Sequence, residues 1–383
     1  MPCPSCHQDL NHAILRLEGL PVLCNALWPD GEQARSCPRG EMDLVLCEYC
    51  GLLFNRAFEP SLMAYAADYE TSLHFSPTFQ EYADDLARSL VQEHDLVGRS
   101  AIEIGCGRGE FLVLLAQAGM GHCLGFDRSF SADLVTLPEG VEIRSHYYSD
   151  ARPGPTADLV CSRHVLEHIP EPGRLLEELA SALEPSALLY LEVPNALYTL
   201  QDLGIWDLIY EHCNYFTPPS LRWTLEAQGF GGVDVRSAYG GQFLSSWSRK
   251  GHDRRSPTRI DEGPSLLRLA QGLARSRTEK IESFEEDLRQ ALDAGQRTAI
   301  WGAGSKGVTF LNSLPSGMEI ATAIDKNPRK QGKHLPGTGQ KILSPEEAAE
   351  APLDLVFVMN PIYAREIEEQ LRELGSRAEL VLV

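Results

Sequence analysis

The sequence predicts an α/β protein built on parallel sheets, and three observations carry that expectation. First, Ala101-Ile-Glu-Ile-Gly-Cys-Gly-Arg-Gly-Glu-Phe-Leu112 passes from an apolar strand through a glycine turn (Gly105, Gly107, Gly109) into residues with helical spacing, Phe111, Leu112, Leu114 and Leu115. Second, Thr298-Ala-Ile-Trp-Gly-Ala-Gly-Ser-Lys-Gly-Val308 repeats the pattern with Gly302, Gly304 and Gly307. Third, each turn is followed about twenty residues later by a strand with an acidic end, Asp127 after Cys123-Leu-Gly-Phe and Asp325 after Ala323-Ile.

The first unit has the chemistry of a nucleotide loop. Glycine accepts positive φ and lets backbone approach a ligand with no Cβ in the way, and the start of the helix offers free N–H groups. Asp127 falls where a ribose diol needs a carboxylate acceptor, and Glu103 stands just before the turn. This stretch resembles the class I S-adenosylmethionine-dependent methyltransferases, whose first motif is E-x-G-x-G-x-G. The resemblance implies a Rossmann-like methyltransferase domain. In it Gly105, Gly107 and Gly109, next to Glu103, border the methionine part of the cofactor, and Asp127 binds its ribose hydroxyls.

At 383 residues the chain is long enough for two or three folded units. Its 34 basic and 54 acidic residues give a net charge of −20, which repels polyanions over most of the surface and disfavours DNA or RNA as substrate. No apolar run approaches the roughly twenty residues that a membrane helix needs. The start, Met1-Pro-Cys-Pro-Ser-Cys-His7, lacks the basic and apolar regions of a secretory signal, so a cytoplasmic location is expected. Ten cysteines in that setting point to metal binding or reduced thiols.

Cys3-Pro-Ser-Cys6 and Cys47-Glu-Tyr-Cys50 are two C-x-x-C hooks with forty residues between them. Two hooks complete the four-sulfur tetrahedron of structural zinc and leave no position for a reacting water, so zinc is expected to hold the fold. Cys24, Cys37 and His7 are spare candidate ligands. An aromatic-rich run, Tyr65 to Phe75, precedes an amphipathic helix expected from about Ser76 to Val97, with Phe79, Tyr82, Leu86 and Leu90 on one face.

The third and fourth strands are expected at Val141–Arg144 and Asp158–Ser162. Tyr148 and Ser149 stand between them where related methyltransferases contact the adenine. Ligands bind at the carboxyl ends of parallel strands, which brings Ser162, Arg163 and His164 towards the transferred methyl, with His164 as a wall of the cofactor site. His168 reads as a packed or capping histidine.

After a fifth strand, Leu188–Val193, comes an excursion that places Tyr210, Glu211 and His212 in consecutive positions. Methylation of carbon requires a nucleophile, and removing a proton beside a ketone needs a base together with a donor for the developing oxyanion. His212 suits the base, Tyr210 or a neighbour the donor, and Glu211 the orienting group. The double C-x-x-C, the first glycine motif, Glu211-His212 followed by Tyr215-Phe216, and the second glycine loop together resemble the zinc-containing three-domain C-methyltransferases of nucleotide-linked keto-deoxysugars. The likeness covers essentially the full chain. It implies that Glu211 and His212 are the acid–base residues, that Tyr69 and Tyr210 assist, and that Tyr69 contacts the cofactor. Those enzymes carry Tyr-His-Glu-His where this chain reads Ile209-Tyr-Glu-His212.

The expected organisation is a zinc-binding unit at 1–60, a methyltransferase unit at 61–255, and a linker helix with a second Rossmann-like unit at 256–383. One long helix is expected from Ser265 to Ala294. Taken alone the second glycine loop suggests NAD; in the resembling family this unit completes the acceptor site, and Gly302 to Lys306 would receive a phosphate through backbone N–H groups. The expected function is S-adenosylmethionine-dependent C-methylation of a small, nucleotide-linked acceptor. O- or N-methylation, a nicotinamide oxidoreductase and a zinc-bearing binding protein stand as alternatives. No nucleic-acid or membrane partner is expected, and oligomeric state is not readable.

Overall fold

The computed structural model describes residues 1–63, 69–132, 135–150, 155–251 and 257–383; Tyr65 and the expected boundary at 255–256 fall outside these. At the centre is a seven-stranded sheet. Its order is Phe230–Ala238, Phe243–Lys250, Leu188–Pro194, Leu159–Arg163, Ser100–Ile104, His122–Phe126 and Val141–Arg144. Five strands are parallel and the late hairpin is antiparallel. The inner strands are buried on both faces, which their continuous apolar runs dictate. Strand order reverses between Ser100–Ile104 and Leu159–Arg163, and at that switch point a crevice opens beyond the carboxyl ends.

Helix Pro77–Glu93 covers one face of this sheet with Phe79, Ala83, Leu86, Ala87, Leu90 and Val91, and Ser76 caps it by accepting from the Phe79 N–H. It stops short of the expected Val97 because Asp95 takes a left-handed φ of 55° and the Leu96 N–H returns to the Val91 carbonyl.

The N-terminal unit is a four-stranded antiparallel sheet in the order Asn11–Pro21, Arg39–Cys47, Leu53–Asn55 and Asn214–Tyr215. The last strand belongs to the excursion after Leu188–Pro194, so the chain leaves this sheet at Asn55 and returns to it at Asn214, as the pairing of Leu53 with Tyr215 and Phe54 with Asn214 shows. Helix Gly263–Asp293 is continuous over 31 residues. It buries Leu266, Ala270, Leu273, Leu288 and Ala291 in a core that also takes Leu44 and Leu46 of the N-terminal sheet, Trp206 of the excursion, and Phe310 and Phe357 of the C-terminal unit. Each large side chain so buried contributes roughly 1.5–3 kcal/mol. The N-terminal sheet, the excursion, the long helix and the C-terminal unit therefore share one apolar cluster.

The C-terminal unit is a five-stranded parallel sheet in the order Ile342–Leu343, Thr322–Ile324, Thr298–Trp301, Leu355–Val358 and Glu379–Leu382. Gly307, on helix Ser305–Ser313, has no room for a side chain: a Cβ would lie 2.2 Å from the Gly302 carbonyl oxygen. The close approach of helix to strand thus depends on glycine. Among the described residues, no helix is long and apolar enough to cross a membrane.

Candidate active site

The carboxyl ends of the parallel strands of both the seven-stranded and the five-stranded sheet face one cavity of about 2070 Å³. Both glycine loops open onto it, and the same hydrogen-bond device holds each. The Gly105 N–H donates to the Phe126 carbonyl at 2.8 Å, the Gly107 N–H to Asp127 Oδ2 at 2.8 Å and the Ser129 N–H to Asp127 Oδ1 at 2.8 Å. In the C-terminal unit the Gly302 N–H donates to the Ile324 carbonyl at 2.9 Å, the Ala303 N–H to Asp325 Oδ2 at 2.9 Å and the Asn327 N–H to Asp325 Oδ1 at 2.8 Å.

On the first side Glu103, Gly105, Gly107, Asp127, Tyr148, Ser149 and His164 all line the cavity. Gly109 does not line it. It caps helix Glu110–Gln117 in the left-handed region, where a Cβ would meet Ile143 at 2.6 Å. Gly105 has a φ of +72° and a Cβ there would lie 2.2 Å from Val165 Cγ2. Gly105→Ala is therefore expected to weaken binding of S-adenosylhomocysteine by about five- to a hundredfold, since a left-handed non-glycine residue costs about 1–3 kcal/mol. Calorimetric titration of the folded variant checks this; unchanged affinity would remove the loop from the cofactor site. Glu103 is 3% exposed and one of its oxygens lacks a hydrogen-bond partner; burial pushes its carboxyl up to about 8. A sulfonium amino acid fits this donor set, with the Glu103 carboxyl for its ammonium group and the Gly107 backbone open beside it.

Of the strand-end residues, Ser162 donates to the Ile104 carbonyl inside the sheet at 3.0 Å. Arg163 lies against the Phe111 ring and donates to Glu192 Oε1 from Nε at 3.0 Å and from Nη2 at 2.8 Å. His164 has a φ of 55° and stands 3.1 Å from Glu192 and 3.7 Å from Glu167. Burial pulls its pKa down, and the two carboxylates more than reverse that, raising it to about 9.

The excursion supplies the far wall. Glu211 is fully buried; Oε1 accepts from the Cys24 N–H at 2.9 Å and Oε2 from the Tyr69 hydroxyl. Tyr69 is held by a bridge to Ala26 and lines the cavity. Burial pushes the Glu211 carboxyl up. His212 is half-buried, with its ring beside His168 at 4.8 Å between centroids and Tyr215 at 6.0 Å. Burial, then the neighbouring His168, lowers its pKa to about 3, so it is neutral at pH 7.

Two expectations are corrected here. Tyr210 does not reach the cavity: its ring packs on Phe58 and above Gly40, and its hydroxyl accepts from the Glu59 N–H at 2.8 Å. Its neighbours Glu211 and His212 turn the other way. His168, read as packing, lines the cavity, and its Nδ1 donates to the Glu211 carbonyl at 2.9 Å. Glu167 was not singled out by sequence reasoning, although it directly precedes that histidine in Leu166-Glu-His168.

Away from the cavity the four hook cysteines meet. Cys3 Sγ is 3.6 Å from Cys50 Sγ and Cys6 Sγ is 3.5 Å from Cys47 Sγ, with all four thiols buried. A zinc ion with bonds of about 2.3 Å sets its sulfurs about 3.8 Å apart, so the donor set fits. The spare candidates are not part of the cluster, which comprises Cys3, Cys6, Cys47 and Cys50.

A glycine crook at the switch point of this seven-stranded sheet, with the carboxylate of the next strand beside it, defines a class I S-adenosylmethionine-dependent methyltransferase. A methyltransferase-domain family model matches residues 75–235, and the C-methyltransferase C-terminal domain model matches residues 269–382. The C-methyltransferase NovU of Streptomyces niveus is 28% identical over 98% of this chain and 94% of its own. The chain belongs with the S-adenosylmethionine-dependent C-methyltransferases. A ubiquinone biosynthesis O-methyltransferase of Paraburkholderia xenovorans (strain LB400) is 31% identical over 33% of this chain and 57% of its own. Among solved structures, human N-acetylserotonin methyltransferase in complex with SAM aligns over 45% of this chain and 55% of that one, at 18% identity and a TM-score of 0.37.

Proposed function

We propose that the chain methylates a carbon atom beside a ketone in a small, nucleotide-linked sugar, with His212 as the general base. The observation that supports this best is the shared cavity. Both glycine loops, His212, His168 and the Tyr69–Glu211 pair all line it. A donor and a phosphate-bearing acceptor can each be held by backbone N–H groups while the reacting atoms meet at the imidazole. His212 takes the acceptor's α-proton, and the Tyr69 hydroxyl, on turning its single proton from Glu211 to the bound acceptor, serves as donor to the developing oxyanion, the role expected of Tyr210. Glu211, engaged by Tyr69 and Cys24, orients that hydroxyl.

In the same reading, Gly302 to Lys306 receive the acceptor's phosphate at the start of helix Ser305–Ser313. Cys3, Cys6, Cys47 and Cys50 hold one structural zinc, outside the cavity lining. The test is mass spectrometry of a panel of nucleotide-linked keto-deoxysugars incubated with methyl-labelled S-adenosylmethionine. A labelled methyl on carbon supports the proposal; methylation only at oxygen or nitrogen overturns the carbon assignment, and transfer to no nucleotide-linked sugar overturns the acceptor class.

A further inference from the structure

Glu167 is a buried carboxylate that the reaction described above does not use. Its side chain is 2% exposed and neither oxygen has a hydrogen-bond partner. A charge so placed is costly unless a donor faces it. One of its oxygens and one ring nitrogen each of His168 and His212 all lie within 4.8 Å of one another, within the span of a direct bond or a single bridging water.

The hydrogen-bond chemistry of this cluster selects the donor. His168 Nδ1 meets the Glu211 carbonyl, which only accepts, so that nitrogen carries a proton and the ring is tied to the excursion's backbone. His164 Nδ1 is 3.7 Å from Glu167, too far for a hydrogen bond, and its nearer carboxylate is Glu192 at 3.1 Å. The Glu211 carboxylate is turned to Tyr69 and Cys24. Tyr215, on the other side of His212, has its hydroxyl bonded to the Ile209 backbone. His164 thus faces Glu167 as a charge and not as a hydrogen-bond donor, and His212 is the ring of the 4.8 Å cluster whose nitrogens are not tied to the backbone.

We propose that Glu167 is the positioning residue of His212: its carboxylate holds the proton on one imidazole nitrogen, which leaves the lone pair on the other for the acceptor. The inference rests on His212 being the base. In that step the acceptor C–H bond breaks and an N–H bond forms on His212. The electron pair stays on the acceptor as an enolate, then bonds to the methyl carbon as the methyl–sulfur bond breaks with its pair left on sulfur. The proton later leaves His212 for solvent. While it is held, the Glu167 charge balances the imidazolium, as a buried carboxylate does for a catalytic histidine in other active sites.

The state of the ring can be read without any acceptor. In protein labelled with ¹⁵N-histidine and bound to S-adenosylhomocysteine, the His212 resonances are assigned by their loss in His212→Asn. Wild type at neutral pH is expected to show a single His212 tautomer. Glu167→Leu, which can neither accept nor carry charge, is expected to show two, and Glu167→Gln, whose amide oxygen still accepts, to retain the single one or nearly so. Should the leucine variant not fold, wild type and Glu167→Asp decide, because a shortened carboxylate must change the His212 nitrogen shifts. Mixed tautomers in wild type overturn the proposal, as do unchanged spectra in every folded variant. So does a second metal ion per chain, beyond the four-thiolate site, that is lost in Glu167→Gln. These spectra report on the Glu167–His212 contact alone, whereas undiminished methyl transfer by His212→Ala would overturn the base assignment, so the two failures are distinguishable.

Discussion

His212→Ala is expected to lower turnover by about 10²–10⁴-fold while the affinity for S-adenosylmethionine stays within a few-fold. The separation follows from position. The cofactor-side groups, Glu103, Gly105, Gly107 and Asp127, lie on the methyltransferase sheet, and none of their hydrogen bonds involves the excursion that carries His212. Parallel loss of affinity and turnover would instead indicate that the ring supports the fold. Single-turnover kinetics with the acceptor found by the panel, beside calorimetry, reads both quantities. The ring also predicts a stability term. Its pKa falls from 6.5 unfolded to about 3 folded, so the unfolded chain binds the proton first as pH drops. Stability from this group is full above pH 6.5 and is lost as pH falls towards 3, and His212→Ala should flatten that part of the acid unfolding profile.

Removing the metal is expected to be as damaging, although the four thiols are not part of the cavity wall. Structural zinc contributes on the order of 10 kcal/mol to small domains that depend on it. Here the dependent part holds the wall to which the proposed function assigns catalysis: the Cys24 N–H on Glu211, the Ala26 bridge to Tyr69, and strand Leu53–Asn55 paired with Asn214–Tyr215 next to His212. Chelation, or Cys3→Ser, should remove about one zinc per chain, lower the melting temperature, and reduce methyl transfer at least about a hundredfold with a smaller effect on cofactor binding. Metal analysis, thermal unfolding and the labelled-methyl assay check this. A metal-free protein with full activity would show that the thiols act without an ion.

Much of the fold could be read from the sequence because its signals are local. The glycine turns, their acidic strand ends and the apolar spacing of Pro77–Glu93 and Gly263–Asp293 each express their own backbone geometry. The pairing of the two C-x-x-C hooks was legible for a chemical reason, since four thiols have few other uses. The directions of Tyr210, Glu211 and His212 were not legible. Adjacent residues in an irregular turn point different ways, and what decides is distant packing: Gly40 leaves the space that the Tyr210 ring fills. Glu167 escaped notice because a lone carboxylate gains meaning only from the two histidines brought to it, one 45 residues further along the chain, as the cluster of Glu167, His168 and His212 shows.

The strand Asn214–Tyr215, stitched into the N-terminal sheet, has a practical consequence for anyone who would dissect the protein. A fragment starting after the second cysteine hook would keep the seven-stranded sheet and its glycine crook, yet its excursion would have no neighbouring ladder and Glu211 would lose the amide of Cys24. Such a fragment would keep the glycine crook but not the assembled wall of Tyr69, Glu211 and His212, so under the proposed mechanism it is expected to bind the methyl donor without transferring the methyl.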